Sequence, residues 1–268
     1  MKFFDSHAHY FDVWFDEYEG GADALLKKLF SENVGAIVNV ATNPENLAEC
    51  IDQAKKYENM YVSAGIHPED CLYIEDIDTS LAKIESAVTD EQSLKENKIV
   101  AIGEIGFDYH VEGLCDEIKA KQRHCFEYQM ELAKRTGFPV VIHDREAHGD
   151  CFDIAMEFPE VRGVFHSYSG SAEMAKELLK HGWLISFSGV VTFKNARKVK
   201  EVAEIVPLDR MLIETDCPYL APHPMRGKLN HSGYLKYTAQ ALAEIKGASL
   251  ETVIEQTAKN AKSFFGIQ

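Results

Sequence analysis

No stretch of this sequence approaches the roughly 20 consecutive apolar residues needed to span a bilayer, so no membrane-crossing helix is expected. The N-terminus lacks a basic region followed by a clean apolar core, because Asp5 and His7 interrupt the opening run at once; a secretory signal is not expected. Cys50, Cys71, Cys115, Cys125, Cys151 and Cys217 form no C-x-x-C pair and no dense framework. A reducing, cytoplasmic setting is the simplest reading, with most of these thiols acting as small buried hydrophobes. Positive charge is also short, with 28 Lys and Arg against 43 Asp and Glu and a formal net charge of −15. Cations facing phosphates supply non-specific nucleic-acid affinity. Such a chain is not expected to coat DNA or hold it tightly, and any contact with DNA would be transient. A glycine-rich dinucleotide fingerprint after the first apolar run is missing, which argues against a doubly wound nucleotide-binding sheet. Low-complexity segments and linkers are missing too, and the whole of 1–268 reads as one domain.

What is present is a repeated alternation. Apolar, β-branched runs occur at Phe3-Phe4, Ala36–Ala41, Met60–Ile66, Ile99–Ile105, Pro139–Ile142, Gly163–Phe165, Leu184–Phe187 and Met211–Ile213. Several are continuously hydrophobic, as parallel strands buried on both faces should be. Helical spacing separates them at Ala22–Phe30, Glu45–Tyr57, Glu117–Arg135, Ala172–Lys180 and Ala196–Ile205. The chain ends in helices, the last with a Ser249 cap, apolar residues from Leu250 to Phe265 at three- and four-residue spacing, and a stop at Gly266. Eight strands alternating with helices predict an α/β fold of the (β/α)8 barrel type, allowing some distortion.

The chemistry-bearing residues fall where these strands run out. His7 and His9 sit two apart after the first strand, so their side chains point the same way and can share a transition ion. His67 follows the third strand, Glu104 lies at the end of the fourth, His143 ends the fifth with Arg145 two residues on, His166 ends the sixth, and Glu214 and Asp216 end the eighth. A barrel gathers all these ends on one face, the face where barrel enzymes work. Taken singly, a strand-end histidine is as easily a capping group. Four of them meeting two carboxylates point to a metal site, since buried charges are rarely tolerated without partners. His110, His124, His148, His181, His223 and His231 fall in helical or loop stretches and are expected to be surface or structural.

These residues belong to ordered motifs: D-S-H-A-H at 5–9, G-I-H-P at 65–68, G-E-I-G-F-D-Y at 103–109, P-V-V-I-H-D-R-E-A at 139–147, V-F-H-S-Y-S-G at 164–170, I-E-T-D-C-P-Y-L-A-P at 213–222 and R-G-K-L-N at 226–230. In this order and over almost the whole chain, the sequence resembles the TatD-type metal-dependent deoxyribonucleases, a branch of the amidohydrolase-like barrels. The resemblance implies two divalent cations (Zn, Mg, Mn or Ni) and no organic cofactor. One ion would be held by His7, His9 and Asp216 and the other by His143 and His166, with Glu104 bridging them. Two such ions bring four positive charges against the two negative ones of Glu104 and Asp216, a balance suited to a phosphodiester. The implied reaction is attack by a metal-activated water, with Asp216 taking the proton, on DNA as a transient substrate and from a 3′ end. His67, Arg145, Arg226 and Lys228 are expected to touch substrate, and Glu214 to orient a ligand.

Two departures from the family pattern matter. Asn230 is followed by His231-Ser232 where relatives often carry an acid and a proline, and Ser167 stands where many carry cysteine. The first departure bears on substrate preference. Two other readings therefore stand beside the nuclease: a barrel hydrolase using the same metals on an amide, lactone or small phosphoester, and a binding protein that has lost the chemistry. The intact ligand set argues against the last.

Overall fold

The computed structural model describes residues 1–268, apart from the side chains of Glu91, Ser93 and Lys95. Its centre is one eight-stranded sheet in the order β1 (Phe3–Ala8), β2 (Val34–Val40), β3 (Met60–Ala64), β4 (Ile99–Asp108), β5 (Val140–Arg145), β6 (Gly163–Phe165), β7 (Leu184–Phe187) and β8 (Met211–Ile213). Every neighbouring pair from β1 to β8 is parallel. Helices return the chain between strands, as parallel pairing requires. The barrel closes between β8 and β1 through a single parallel bridge, Ala8 to Cys217, rather than a full ladder. His9 N–H donates to Cys217 O (2.8 Å) and Asp216 N–H to His7 O (2.9 Å) at this seam. The expected distortion therefore sits at the strand pair whose ends carry four of the chemistry-bearing residues, His7, His9, Glu214 and Asp216.

The expected strands are all found, the first five with shifted ends and the last three with the expected bounds. β1, β4 and β5 run on past their apolar stretches to Ala8, Asp108 and Arg145. The ladder continues through polar residues because most of their side chains face a cavity and each other, while Arg145 at the end of β5 is exposed. Local signals set the helix ends. Asn43 caps Pro44–Lys56 with a reciprocal capping box, Ser171 caps Ala172–Lys180, and Ser249 caps Leu250–Phe265, which ends on Gly266 at φ 67°. The helix Ile77–Thr89 was not expected, although Asp76 caps it and Leu81, Ile84 and Val88 bury one face.

Two apolar layers hold the barrel. Inside it pack Leu212 and the smaller Ala36, Val38, Val40, Ala101, Val141 and Val164. Phe264 and Phe265 of the last helix close this cluster against Phe4, whose ring stacks on Phe265 at 6.1 Å. The larger layer lies between the strands and the surrounding helices. Each fully buried side chain of this size contributes about 1.5–3 kcal/mol by leaving water. The polar strand ends can therefore be spent on function. Among the described residues, no helix is long and apolar enough to cross a membrane.

Candidate metal centre

His7, His9, Glu104, His143, His166 and Asp216 meet at the mouth of the barrel, and all but His7 line a cavity of about 600 Å³. Glu104 is the hinge of the arrangement. Its Oε2 faces His7 Nε2 (3.3 Å) and His9 Nε2 (3.8 Å), while its Oε1 faces His143 Nδ1 (2.6 Å) and His166 Nε2 (2.7 Å). Asp216 Oδ1 lies 3.3 Å from His9 Nε2 and 3.6 Å from His7 Nε2, completing the first group.

The backbone around these residues is shaped to bring them so close. Gly106 has φ 143°, and a Cβ there would meet His143 O at 2.0 Å. Gly103, at φ 153°, would drive a Cβ into Val141 at 2.8 Å. Only glycine lets β4 lie against β5 on both sides of Glu104. Asp216 adopts φ 56°, a left-handed conformation that aspartate tolerates better than most residues.

Hydrogen bonds fix which ring nitrogen is free. His9 Nδ1 donates to Val40 O (2.8 Å), so Nε2 presents its lone pair to the cavity. His166 Nδ1 pairs with Glu214 Oε1 (3.2 Å), again freeing Nε2. His143 is turned the other way, with Nε2 on Asp108 Oδ2 (3.1 Å) and Nδ1 inward. Buried partners that orient imidazoles in this way are the usual support of a metal site. His7 Nδ1 is buried without a partner, and its Nε2 lies only 3.0 Å from His9 Nε2. His143 Nδ1 and His166 Nε2 face each other at 3.3 Å. Two pairs of ring nitrogens converging on carboxylate oxygens suit a cation in each, so the donor set fits divalent metal.

Charge tells the same story. Burial pushes Glu104 up, but His166, His7, His67 and His143 outweigh it and hold the carboxyl well below its usual range. Burial also raises Asp216, and His9, His166 and His7 bring it below normal. Burial disfavours protonated His143, yet Glu104 and Asp108 raise it to about 9; Glu104 and Glu214 raise His166 well above normal against the same opposition. Without metal, protons on the imidazoles balance the carboxylates. His67 behaves differently: burial and His143 push it down to about 3, and its Nδ1 accepts from Glu69 N–H (3.1 Å). Neutral at pH 7, it carries its proton on Nε2, which faces Glu104 Oε1 at 3.8 Å. That makes it a donor to the cavity.

The other expected residues divide. Arg145 lines the cavity at its rim, 3.8 Å from Asp108. Glu214 is buried behind His166, and also accepts from Ser167 N–H (2.6 Å) and Ser186 Oγ (2.5 Å). Arg226 and Lys228 line an adjoining cavity instead, beyond Tyr219 and Leu220. None of His110, His124, His148, His181, His223 and His231 lines the metal cavity. His231 and Ser232 start a short 3-10 helix, with Ser232 Oγ 2.7 Å from Tyr10 O–H, so this departure lies outside the metal cavity. Asn230 donates to Thr215 O (2.8 Å) and Tyr219 O (2.6 Å), pinning the segment around Asp216.

Two acids carry roles that sequence reasoning missed. Asp108 orients His143 and was visible only as a letter in G-F-D-Y. Asp5, the first residue of D-S-H-A-H, accepts from Thr215 N–H (3.0 Å) and Thr215 Oγ1 (2.6 Å), tying β1 to the segment after β8. Replacing Asp108 by asparagine should lower affinity for metal about 10- to 100-fold, the usual loss for such a partner. Competition with a chelating dye measures this, and unchanged retention would remove the orienting role.

The TatD related DNase family profile matches residues 4–266. The chain is 38% identical over 266 residues to YabD of Bacillus subtilis, an uncharacterized metal-dependent hydrolase, with 98% of this chain and 99% of that protein covered. YcfH of Escherichia coli K12, described in the same words, is 33% identical over 272 residues, covering 100% and 97%. Among solved structures, YJJV, a TatD homologue from Escherichia coli K12, superposes with a TM-score of 0.87 at 27% identity, covering 99% of this chain and 98% of that one. A phosphotriesterase homology protein from Escherichia coli shares the fold at a TM-score of 0.64 and 14% identity, covering 98% of each chain. Carrying this histidine–carboxylate cluster on a barrel, the chain belongs to the TatD family and is a metal-dependent hydrolase.

Proposed function

We propose that this protein hydrolyses phosphodiester bonds in DNA with two divalent cations, removing nucleotides from a 3′ end. The observation that carries the reading is Glu104, which turns one carboxylate oxygen to each histidine pair. Ions held there supply Lewis acidity, polarising a phosphoryl oxygen and acidifying a water. Two such ions would bring about four positive charges, of which the carboxylates of Glu104 and Asp216 would neutralise about two, and the remainder favours a phosphate diester over a neutral substrate. Asp216, ionised and 14% exposed, accepts the proton from the attacking water. His67 donates Nε2–H to a non-bridging phosphate oxygen, and Arg145 binds the next phosphate at the rim. Glu214 and Asp108 keep the imidazoles in register. The family description supports DNA as the substrate, and six free cysteines suit a reducing cytoplasm.

A second reading, hydrolysis of an amide, lactone or small phosphoester, draws on the net charge of −15, which is unfavourable for holding a polyanion. The deciding experiment incubates purified protein with Mg²⁺, Mn²⁺, Zn²⁺ or Ni²⁺ and end-labelled single- and double-stranded DNA, beside Glu104→Ala and Asp216→Ala. Metal-dependent shortening from the 3′ end that both variants lose is the expected result. Cleavage unchanged in both variants would expose a contaminant. No cleavage by wild type, with turnover of an ester or lactone panel, would establish the second reading.

A further inference from the structure

The helix Asp116–Thr136 packs on β4 through a face of apolar residues, yet two amides sit in that face, Gln122 and Gln129, both fully buried. Glutamine is mostly a surface residue, and an amide taken out of water without partners is costly. Seven positions separate the two, so both project from one side of the helix about 10 Å apart along its axis. Each grips one backbone residue at two points. Gln122 Oε1 accepts from Asp108 N–H (3.2 Å) while its Nε2 donates to Asp108 O (2.9 Å). Gln129 Oε1 accepts from Ile66 N–H (2.8 Å) while its Nε2 donates to Ile66 O (3.2 Å).

Both gripped residues lie where the sheet has run out of strand on that side. β3 ends at Ala64, which pairs with Ile102, so the stretch of β4 from Gly103 to Asp108 has no β3 residue paired with it. Ile66 lies past the end of β3, and the next residue, His67, sends its N–H to Thr42 O (2.8 Å). Buried backbone groups need partners, and here side-chain amides stand in for the missing strand. The two residues so held lead to one imidazole. Asp108 Oδ2 holds His143 Nε2 (3.1 Å), and the His67 ring meets the His143 ring at 4.3 Å. His67, Asp108 and His143 bring ligand atoms within 4.8 Å of one another. Lys121, on the same helix, donates to Leu72 O (3.3 Å) and Ile74 O (2.9 Å), securing the segment that follows His67. Neither glutamine lines the metal cavity.

We propose that Gln122 and Gln129 are positioning residues of the metal centre, with their helix as a stiff spacer that sets Asp108 and His67 against His143. Gln122 works through Asp108, so it governs how firmly metal is held. Gln129 works through His67, so it governs turnover and not metal affinity. The first half needs only the histidine–carboxylate cluster, while the second rests on the phosphodiester reading, in which His67 donates to a phosphate oxygen. The separation of the two effects follows from the geometry, because each amide grips a different strand end.

Gln122→Met and Gln129→Met keep the length of the side chain and remove both hydrogen bonds. Zinc affinity is read by competition with a chelating dye, and turnover with bis(p-nitrophenyl) phosphate on zinc-saturated protein. Gln122→Met should weaken zinc binding about tenfold, the low end for lost support of a ligand. In an Asp108→Asn background the same change should add less than about twofold, since residues acting in series are not additive. Gln129→Met should leave zinc affinity within about twofold and lower kcat about tenfold, with little further loss in a His67→Ala background. Met130→Ala controls for stability: Met130 is buried on the same helix and does not face its neighbour Gln129, so it should change neither reading. Gln122→Glu and Gln129→Glu, compared with wild type at pH 6, provide the conservative rescue and a second pair should the Met variants fold poorly. A carboxyl buried this deeply is protonated there, again accepts and donates, and should recover wild-type values within about threefold. Zinc affinity lost equally in Gln122→Met and Met130→Ala, or full additivity with Asp108→Asn, would overturn the role of Gln122. Zinc affinity lost as much in Gln129→Met as in Gln122→Met would overturn the division between them. No turnover by wild type would overturn the phosphodiester reading and the Gln129 half with it, while the zinc measurements still decide Gln122.

Discussion

Glu104→Gln leaves the enzyme with no more than about one thousandth of its hydrolytic activity, at least the loss seen when one preorganised charge-stabilising group is removed. The amide is nearly isosteric, but its nitrogen presents N–H to one histidine pair where a carboxylate oxygen faced it before. Because Oε2 faces His7 and His9 and Oε1 faces His143 and His166, one pair or the other loses its anion. Metal content, read by elemental analysis, should fall with activity. The metal-free variant should also unfold more readily, because protonated His143 and His166 lose the partner that sustains them. Removing one member of a buried ion pair costs about 3–5 kcal/mol. A variant that keeps its metal content and more than a tenth of wild-type activity would end the bridging role of Glu104.

Chelation abolishes hydrolysis and leaves a protein whose stability falls as pH rises from 6.5 to about 9. In the metal-free protein His143 titrates at about 9, burial being outweighed by Glu104 and Asp108, against 6.5 for an ordinary imidazole. A group whose folded pKa is raised stabilises fully below its unfolded pKa, and that contribution is lost as pH climbs through the folded value. For His143 the loss is about 3 kcal/mol in order of magnitude. Asp5 acts in the same direction at lower pH: burial, opposed by hydrogen bonds from Thr215 and His7, raises it from 3.8 to about 7. Metal reverses the dependence around His143, because a cation needs the imidazole deprotonated and binds better as protons leave. Denaturant unfolding at pH 6.5 and pH 9, with and without chelator, measures both effects. The gap between loaded and stripped protein should widen at pH 9. Equal stability of the stripped protein at the two values would show that the imidazole–carboxylate cluster does not carry the charge described.

The barrel was legible because buried parallel strands must be apolar over most of their length. Gly163–Phe165, Leu184–Phe187 and Met211–Ile213 form where the pattern put them. The ends of β1, β4 and β5 were not legible, because polar residues at a cavity read like loop. The helix Ile77–Thr89 had a readable cap and period and was overlooked. His148, expected to be surface or structural, opens the helix His148–Glu157 with Nδ1 on Asp144 (2.7 Å).

The sequence by itself determined the repeating strand–helix order, the identity of the four histidines and two acids that meet at the barrel mouth, and their placement at strand ends. Apolar periodicity and ligand chemistry are properties of short segments, and short segments can be read directly. Tertiary structure alone decided how those residues divide. Which oxygen of Glu104 faces which pair, that His143 turns Nδ1 inward because Asp108 holds Nε2, and that Asp5 ties β1 to Thr215 all depend on contacts between strands distant in the chain. Tertiary structure also moved Arg226 and Lys228 out of the metal cavity and set them beside Trp14, some two hundred positions earlier in the sequence. A linear pattern specifies which groups a chain owns, while distances and tautomers follow only when barrel closure brings its first strand against its last.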